Sequence, residues 1–359
     1  MSKVELNDGT VDVGSVARVA QESLADRPVI VLGSGASVAH GLPGMPELAK
    51  HIVSVLDPET RPEAEQRVWE RFKSELSSTN DLERSLSEVP SESPLLRSIL
   101  ASTWTLISER DRVVHDAIVS AAKALPLTRF VQHLLRTSNP HVSIVTTNYD
   151  RLAEYAGDLA GVRVVTGFEG TWLQRFDDGV LGHAGGAGAR VTIYKPHGSL
   201  DWFLDRDGEP RGTPLSTGIP DGCEPLIVTP GVTKYQKTLT DPFRTITAKA
   251  DEALKKATCF LCVGYGFNDE HIHPVLKRRI RKDKVPIVVL ARTLTTAARS
   301  VVVDAAVPRF LAIERSGSDA TIYSPEQLGG VTVADSAIWD FASFLDLVLG
   351  AEGGTRDDL

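Results

Sequence analysis

Apolar residues fall along this chain in two rhythms that take turns. Over residues 11–25 they recur at helical spacing, with Val13, Val16, Ala17, Ala20 and Leu24 on one side. A short unbroken apolar run, PVIVL, follows at 28–32 and stops at a glycine-rich stretch. Helical spacing returns over 46–56, where Leu48, Ala49, Ile52, Val53 and Leu56 join Met45 on an apolar side, and over 127–135. Strand-like runs stand at 142–147, 190–194, 258–263 and 285–290, and helical patterns cover 241–256 and 270–281. The repeated unit is an apolar strand, a polar or glycine-rich end, then a helix. It predicts an α/β fold: a Rossmann-like, doubly wound parallel sheet with helices on both faces.

Two regions break the rhythm. Residues 57–125 contain no β-branched run and read as helices broken by Asp-Pro, Val-Pro and Ser-Pro. They predict a mostly helical insert within one domain spanning 1–359. Residues 157–190 are glycine-rich and poorly patterned, and read as loop. Beyond them, 203–211 predicts a hairpin turning at Asp207-Gly208, and 225–230 a strand end. The space after Val289 fits a strand or two and a last amphipathic helix over 335–349, ahead of a frayed tail at 350–359.

Composition narrows the function classes. The chain has 359 residues, 42% hydrophobic and 24% charged, which is ordinary for a globular protein with a sizeable core. Its net charge of −8 argues against direct binding to a phosphate backbone. The basic run KRRIRK at 277–282 reads as the solvated face of a helix. Three cysteines make no disulfide framework. Cys259 and Cys262 are two thiols short of a zinc site and read as small core residues. No signal pattern opens the chain, and no apolar run approaches the roughly 20 residues of a membrane span, so a cytoplasmic protein is expected.

Four polar strand ends hold the candidate chemistry. Gly33-Ser34-Gly35-Ala36-Ser37 follows the first strand. Glycines there allow close approach to a phosphate, or serve a tight turn. The stretch is neither a full G-x-G-x-x-G, since Val38 breaks it, nor a Walker A loop. Asn148-Tyr149-Asp150 ends the next strand, either as helix caps or as side chains at the ligand-binding edge of a parallel sheet. His197-Gly198-Ser199 supplies a lone histidine. Gly264-Tyr265-Gly266-Phe267-Asn268-Asp269 is a second glycine-rich turn, with Asn268 or Asp269 available as a cap. His271 and His273, two apart on a helix, point different ways and are not expected to share a metal.

Taken in order, GSGAS, TTNYD, KPHGS and GYGFND resemble the sirtuin catalytic domain. The likeness is greatest to bacterial sirtuin-like NAD hydrolases of anti-phage defence, in which G-x-G-x-S with G-L-P, T-T-N-Y-D and H-G-S-L-D-W recur. Here these stand at 33–37 with Gly41-Leu42-Pro43, at 146–150 and at 197–202, and the late segment at 264–272 has Gly266 in place of Ser. The resemblance covers about 28–292 and extends to the helical insert. Two departures matter. No four-cysteine zinc module follows His197, since Cys223 stands alone. The first motif continues as Gly-Met-Pro rather than the Asp-Phe-Arg of protein deacylases. In deacylases the acyl-lysine groove lies against the zinc module.

The resemblance implies cleavage of NAD, as substrate, to ADP-ribose and nicotinamide, with no metal. Asn148 would position the ribose and the attacking water, donating and accepting at once. His197 would be the general base. Gly33, Ser34, Gly35, Ala36 and Ser37 would hold the diphosphate, and Asp150 would lie by the nicotinamide ribose, with capping as a secondary use. Gly264, Tyr265 and Asn268 would hold the adenosine end. Arg292 could touch the adenine side or cap a helix. It also implies a homo-oligomer paired with a HerA-type hexameric, DNA-translocating ATPase as the sensor of infection. An NAD-dependent protein deacylase and a non-catalytic NAD or ADP-ribose binder are the alternatives.

Overall fold

The computed structural model describes residues 2–7, 10–56, 61–121, 124–136, 140–182, 188–214, 216–228, 240–269, 272–305 and 307–351. His271, residues 183–187 of the glycine-rich stretch, 229–230 and the tail from 352 lie outside them. A hairpin, β1 (Leu6–Asn7) and β2 (Thr10–Val11), leads into α1 (Val13–Leu24), where Asp12 caps the Gly14 amide at 3.0 Å. Next come β3 (Pro28–Leu32), the one-turn α2 (Ser34–Val38) and α3 (Met45–Val55). Helices α4 (Glu63–Thr79), α5 (Leu82–Leu86), α6 (Pro94–Val119) and α7 (Pro126–Leu135) lead to β4 (His141–Thr146) and α8 (Leu152–Leu159).

The chain then turns mainly to strands. These are β5 (Arg163–Val165), β6 (Phe168–Glu169), β7 (Gln174–Phe176), the short α9 (Asp178–Gly182), β8 (Arg190–Tyr194), β9 (Gly198–Leu204), β10 (Pro210–Gly212) and β11 (Glu224–Ile227). Alternation resumes with α10 (Phe243–Lys256), β12 (Cys259–Val263), α11 (Ile272–Arg281) and β13 (Ile287–Ala291). A short helical stretch, α12 (Thr296–Ala298) running into a π-turn (Arg299–Val303), precedes β14 (Phe310–Ser316), β15 (Asp319–Ser324), β16 (Gln327–Val333) and α13 (Phe341–Leu349).

The main sheet has nine strands in the order β16-β15-β14-β13-β12-β3-β4-β8-β5. From β14 to β5 every neighbouring pair is parallel, while β15 and β16 add an antiparallel edge. This is the expected Rossmann-like α/β architecture. Its strands show why the apolar runs are unbroken: successive residues enter different cores. Ile30 and Leu32 of β3 belong to the core that includes residues of α1, α7 and α8, whereas Val29 and Val31 belong to the one that includes residues of α10 and α11. A strand buried on both faces has no polar side to show.

Several expectations are corrected. Residues 33–37 do not form a loop but enter the single turn of α2. The poorly patterned 157–190 holds β5, β6 and β7, which are only two or three residues long and too short to show a period. The hairpin over 203–211 begins earlier, at Gly198. Three strands, not one or two, follow β13; β16, QLGGVTV, is an edge strand with two glycines and little burial. The last helix starts at Phe341 rather than 335, because Asp335 has φ +49° and Asp340 caps the Ala342 and Ser343 amides. Strands β11-β9-β10-β7-β6 form a second, antiparallel sheet.

His141, at the start of β4, gives the fold a pH dependence. Its Nε2 lies 2.8 Å from Thr192 Oγ1, and burial, helped by Arg190, pushes the ring down to about 4. The unfolded ring titrates near 6.5. Between those values the unfolded chain binds the extra proton, so stability falls as pH drops from about 6.5 to 4. The ring is partly exposed, so we expect a loss on the order of 1–2 kcal/mol after screening. Urea denaturation at pH 7 and pH 4.5 should show His141→Gln losing less stability than the parent over that interval.

Candidate functional site

Strand β3 is where the sheet's order reverses. The chain builds β4, β8 and β5 on one side of it and β12, β13 and β14 on the other. The crevice outside the carboxyl ends of β3, β4 and β12 is therefore the topological switch point, where open α/β sheets bind ligands. A cleft of about 200 Å³ opens there, lined by Gly33, Ser34, Ser37, Asn148, Asp150, His197, Tyr265, Gly266, Asn268 and Asp269, with Leu42, Met45 and Ile107 as an apolar wall. A larger hollow of about 460 Å³ lies at the opposite ends of the strands, beside Arg27, His141 and Arg190, remote from these groups.

Glycine is needed where two strand ends touch. A Cβ on Gly33 would stand 2.4 Å from Gly264 O, and one on Gly264 would stand 2.2 Å from Ala36 N. Gly264 also has φ +58°, in the left-handed region. The Gly33 amide donates to Val263 O and the Gly35 amide to Gly264 O, each at 3.1 Å. Those two amides bind the two strand ends to each other rather than facing a ligand. Ser34, exposed at the first position of α2, is the outward-facing polar residue of the stretch.

Asn148 follows β4. Its Nδ2 donates to Gly33 O at 2.9 Å and to Ser37 Oγ at 2.8 Å. A backbone carbonyl can only accept, so this contact fixes which end of the carboxamide is nitrogen. Both amide hydrogens are engaged, which corrects the expectation that Asn148 donates to a ligand: what it has to offer is Oδ1, an acceptor. Ser37 Oγ in turn donates to Asp150 Oδ2 at 2.6 Å, and Asp150 Oδ1 accepts from the Leu152 amide at 3.2 Å. Asp150 thus caps α8 with one oxygen and with the other anchors Ser37, which in turn accepts from Asn148. Burial, against the opposing pull of Lys195, pushes its carboxyl above the usual range.

His197 stands three residues beyond β8 and is only 8% exposed. Gly198, with φ +88°, starts β9 directly after it; a Cβ there would lie 1.9 Å from Leu226 O. The Val228 amide donates to His197 O at 2.9 Å, and Tyr149 Oη donates to Val228 O at 2.6 Å. The histidine Nε2 lies 2.7 Å from Asp269 Oδ2, an ion-pair approach that is not aligned as a hydrogen bond. Asp269 Oδ1 accepts from the Ile272 amide at 2.8 Å and so caps α11. Tyr265 is buried against Phe267, with ring centroids 4.9 Å apart, and Asn268 is exposed at the cleft. Arg292 is exposed and is not among the lining residues.

The two motifs are joined by Lys195, which is fully buried. Its Nζ donates to Asp150 O at 2.6 Å, Ser199 Oγ at 2.7 Å, Glu154 Oε1 at 2.8 Å and Tyr149 O at 3.3 Å. Burial raises the Glu154 carboxyl, with Lys195 pulling the other way. On the far side, Asp111 of α6 is wholly buried and accepts from the Arg151 amide at 2.9 Å, from the Arg151 guanidinium at 2.7 Å and from Tyr155 Oη at 2.6 Å. The helical region thus holds the segment after β4 from outside.

Of the site residues expected from sequence, Gly33, Ser34, Ser37, Asn148, Asp150, His197, Tyr265 and Asn268 all line one cleft. Gly35, Ala36 and Gly264 stand behind its rim, in the contact between the two glycine turns. Sequence reasoning missed Lys195, Asp111 and the approach of Asp269 to His197. A lysine closing a buried strand two residues before the histidine was the available signal for the first.

Residues 142–307 match the family model of the SIR2-like domain. This SIR2-like segment is just under half of the chain and carries Asn148, Asp150, His197, Gly264, Tyr265 and Asn268. None of the curated proteins matches the chain. Among solved structures, a Sir2 enzyme studied for its mechanism and regulation is 16% identical, covering 81% of this chain and 89% of that chain at a TM-score of 0.41. A mutant Sir2 homologue in complex with 2′-O-acetyl ADP ribose is 12% identical, covering 94% and 98% at 0.44. A Sir2 complex with a p53 peptide and NAD+ is 14% identical, covering 78% and 87% at 0.35. At these scores the structures add nothing to the reading of the site.

Removing the buried ammonium should be costly. Lys195→Met leaves the Glu154 carboxylate and the Asp150 carbonyl buried without this donor, while Tyr149 O keeps the Leu200 amide at 3.0 Å, and we expect a loss of about 3–5 kcal/mol in urea denaturation. Adding Glu154→Gln to that variant should restore part of the loss. Equal stability of Lys195→Met and the parent would rule out this assignment.

Proposed function

We propose that the chain is an NAD hydrolase, releasing nicotinamide and ADP-ribose. The observation that carries this reading is the convergence of Asn148 Oδ1 and His197 on one cleft at the switch point of the sheet, beside two glycine turns. A volume of about 200 Å³ is small beside the roughly 300–1,000 Å³ of most ligand pockets. It suits the nicotinamide–ribose end of a dinucleotide. The rest of the molecule would lie along the open rim, where Ser34 and Asn268 are exposed.

The chemistry asks little of the protein. The bond between the ribose C1′ and the pyridinium nitrogen breaks with its electron pair going to the ring, which leaves as neutral nicotinamide. Water forms the new C1′–O bond and loses a proton to His197. In this reading Asn148 Oδ1 accepts a hydrogen bond from a ribose hydroxyl or from that water, and its fixed orientation lowers the entropy lost on the way. Asp150 acts from behind by holding Ser37, which accepts from Asn148. Deacylation is the second reading, set behind hydrolysis because no four-cysteine module follows His197 in the sequence, where Cys223 stands alone. The finer reading, an anti-phage effector acting as a homo-oligomer with a HerA-type ATPase, rests on sequence resemblance alone.

Nicotinamide release from NAD by the purified chain tests the proposal. We expect release without any acylated peptide, and a fall of roughly 100-fold or more in both Asn148→Ala and His197→Ala, with NAD still bound and thermal unfolding little changed. Release that depends on an acyl-lysine peptide would favour a deacylase. Tight NAD binding with no turnover would favour a non-catalytic binder.

A further inference from the structure

We infer that Asp269 is a positioning residue for His197, holding the imidazole so that it can take a proton from water. The inference rests on the hydrolase reading above but is drawn from different atoms. Asp269 sits where the second glycine turn meets α11, and its two oxygens do separate things. Oδ1 accepts from the Ile272 amide at 2.8 Å, which is ordinary helix capping. Oδ2 lies 2.7 Å from His197 Nε2, an electrostatic contact off the line of a hydrogen bond, which capping does not require. Both residues are buried and both line the cleft with Asn148.

A carboxylate fixed at one oxygen by a helix terminus has little freedom at the other. It sets which way the neighbouring ring faces and favours the tautomer with the proton on the nitrogen beside it. The other ring nitrogen is then left as the base. As that nitrogen takes the water proton, the ring becomes a cation, and Asp269 stands next to the new charge. The same division of labour operates wherever a buried carboxylate orients a catalytic imidazole. It also explains why a residue in the second glycine turn approaches a histidine more than 70 positions earlier in the chain.

Asp269→Asn separates the two roles, because an amide oxygen can still cap Ile272 while the negative charge is gone. We expect kcat for nicotinamide release to fall by roughly 10- to 100-fold with KM within about threefold of the parent. A second readout does not need turnover. Nitrogen NMR of the histidine-labelled protein above neutral pH, with His197 assigned by its absence in His197→Ala, should place the ring proton on Nε2 in the parent and spread it over both nitrogens in Asp269→Asn. An unchanged kcat in Asp269→Asn, a tautomer balance that survives that substitution, or a proton on Nδ1 in the parent would each overturn the inference. If the parent does not cleave NAD, the hydrolase reading fails, and the tautomer still decides whether Asp269 holds the ring.

Discussion

The ammonium group of Lys195 is the constraint around which this site is built. A buried charge is tolerated only when its hydrogens are matched, and here four partner groups come from three places in the chain: two carbonyls just after β4, a carboxylate on α8 and a hydroxyl on β9. One side chain therefore sets the distance between two stretches that are nearly 50 residues apart. Asn148 immediately precedes the first stretch and His197 lies two residues beyond the lysine. Their meeting in one cleft follows from where that charge is satisfied.

Two further restraints keep the arrangement stiff. Helix α6 presses from outside, with Asp111 gripping Arg151 and Tyr155, and Trp104 Nε1 donating to Leu200 O at 2.8 Å. On the opposite flank the glycine turns after β3 and β12 lie backbone to backbone, at a spacing no side chain would permit. Between these flanks the Asn148 carboxamide has no rotational choice, since one hydrogen is committed to a carbonyl and the other to Ser37. The site offers an acceptor of fixed direction, held before any ligand arrives.

The main sheet was legible because its strands are buried on both faces and so carry unbroken apolar runs. The motif residues Asn148, Asp150 and His197 were legible from the order and content of the polar strand ends taken together, since capping alone would account for an Asn or Asp at one of them. What escaped was short or edge-like. Strands β5, β6 and β7 have two or three residues each, and β16 contains Gly329 and Gly330 and faces solvent. The direction of the Asn148 amide and the link from Asp269 to His197 were out of reach, because both depend on contacts between distant strand ends. The glycines of 33–37 signal close approach in the sequence, but the neighbour that fills the space is Gly264.

The junction between β8 and β9 has a consequence for how this chain can vary. Only Lys195, Pro196 and His197 lie between the two strands, and each end is fixed, one by the buried ammonium and the other by Gly198 against Leu226 O. There is no slack to absorb an added or deleted residue: a slip by one position would turn the β9 side chains to the opposite face of their sheet and carry the histidine out of the cleft. Beyond Leu204 the situation reverses, since Asp207 and Gly208 form an exposed turn that closes on itself through Asp205. Length variation among descendants of this chain should therefore gather at that turn and be missing from the three residues before β9.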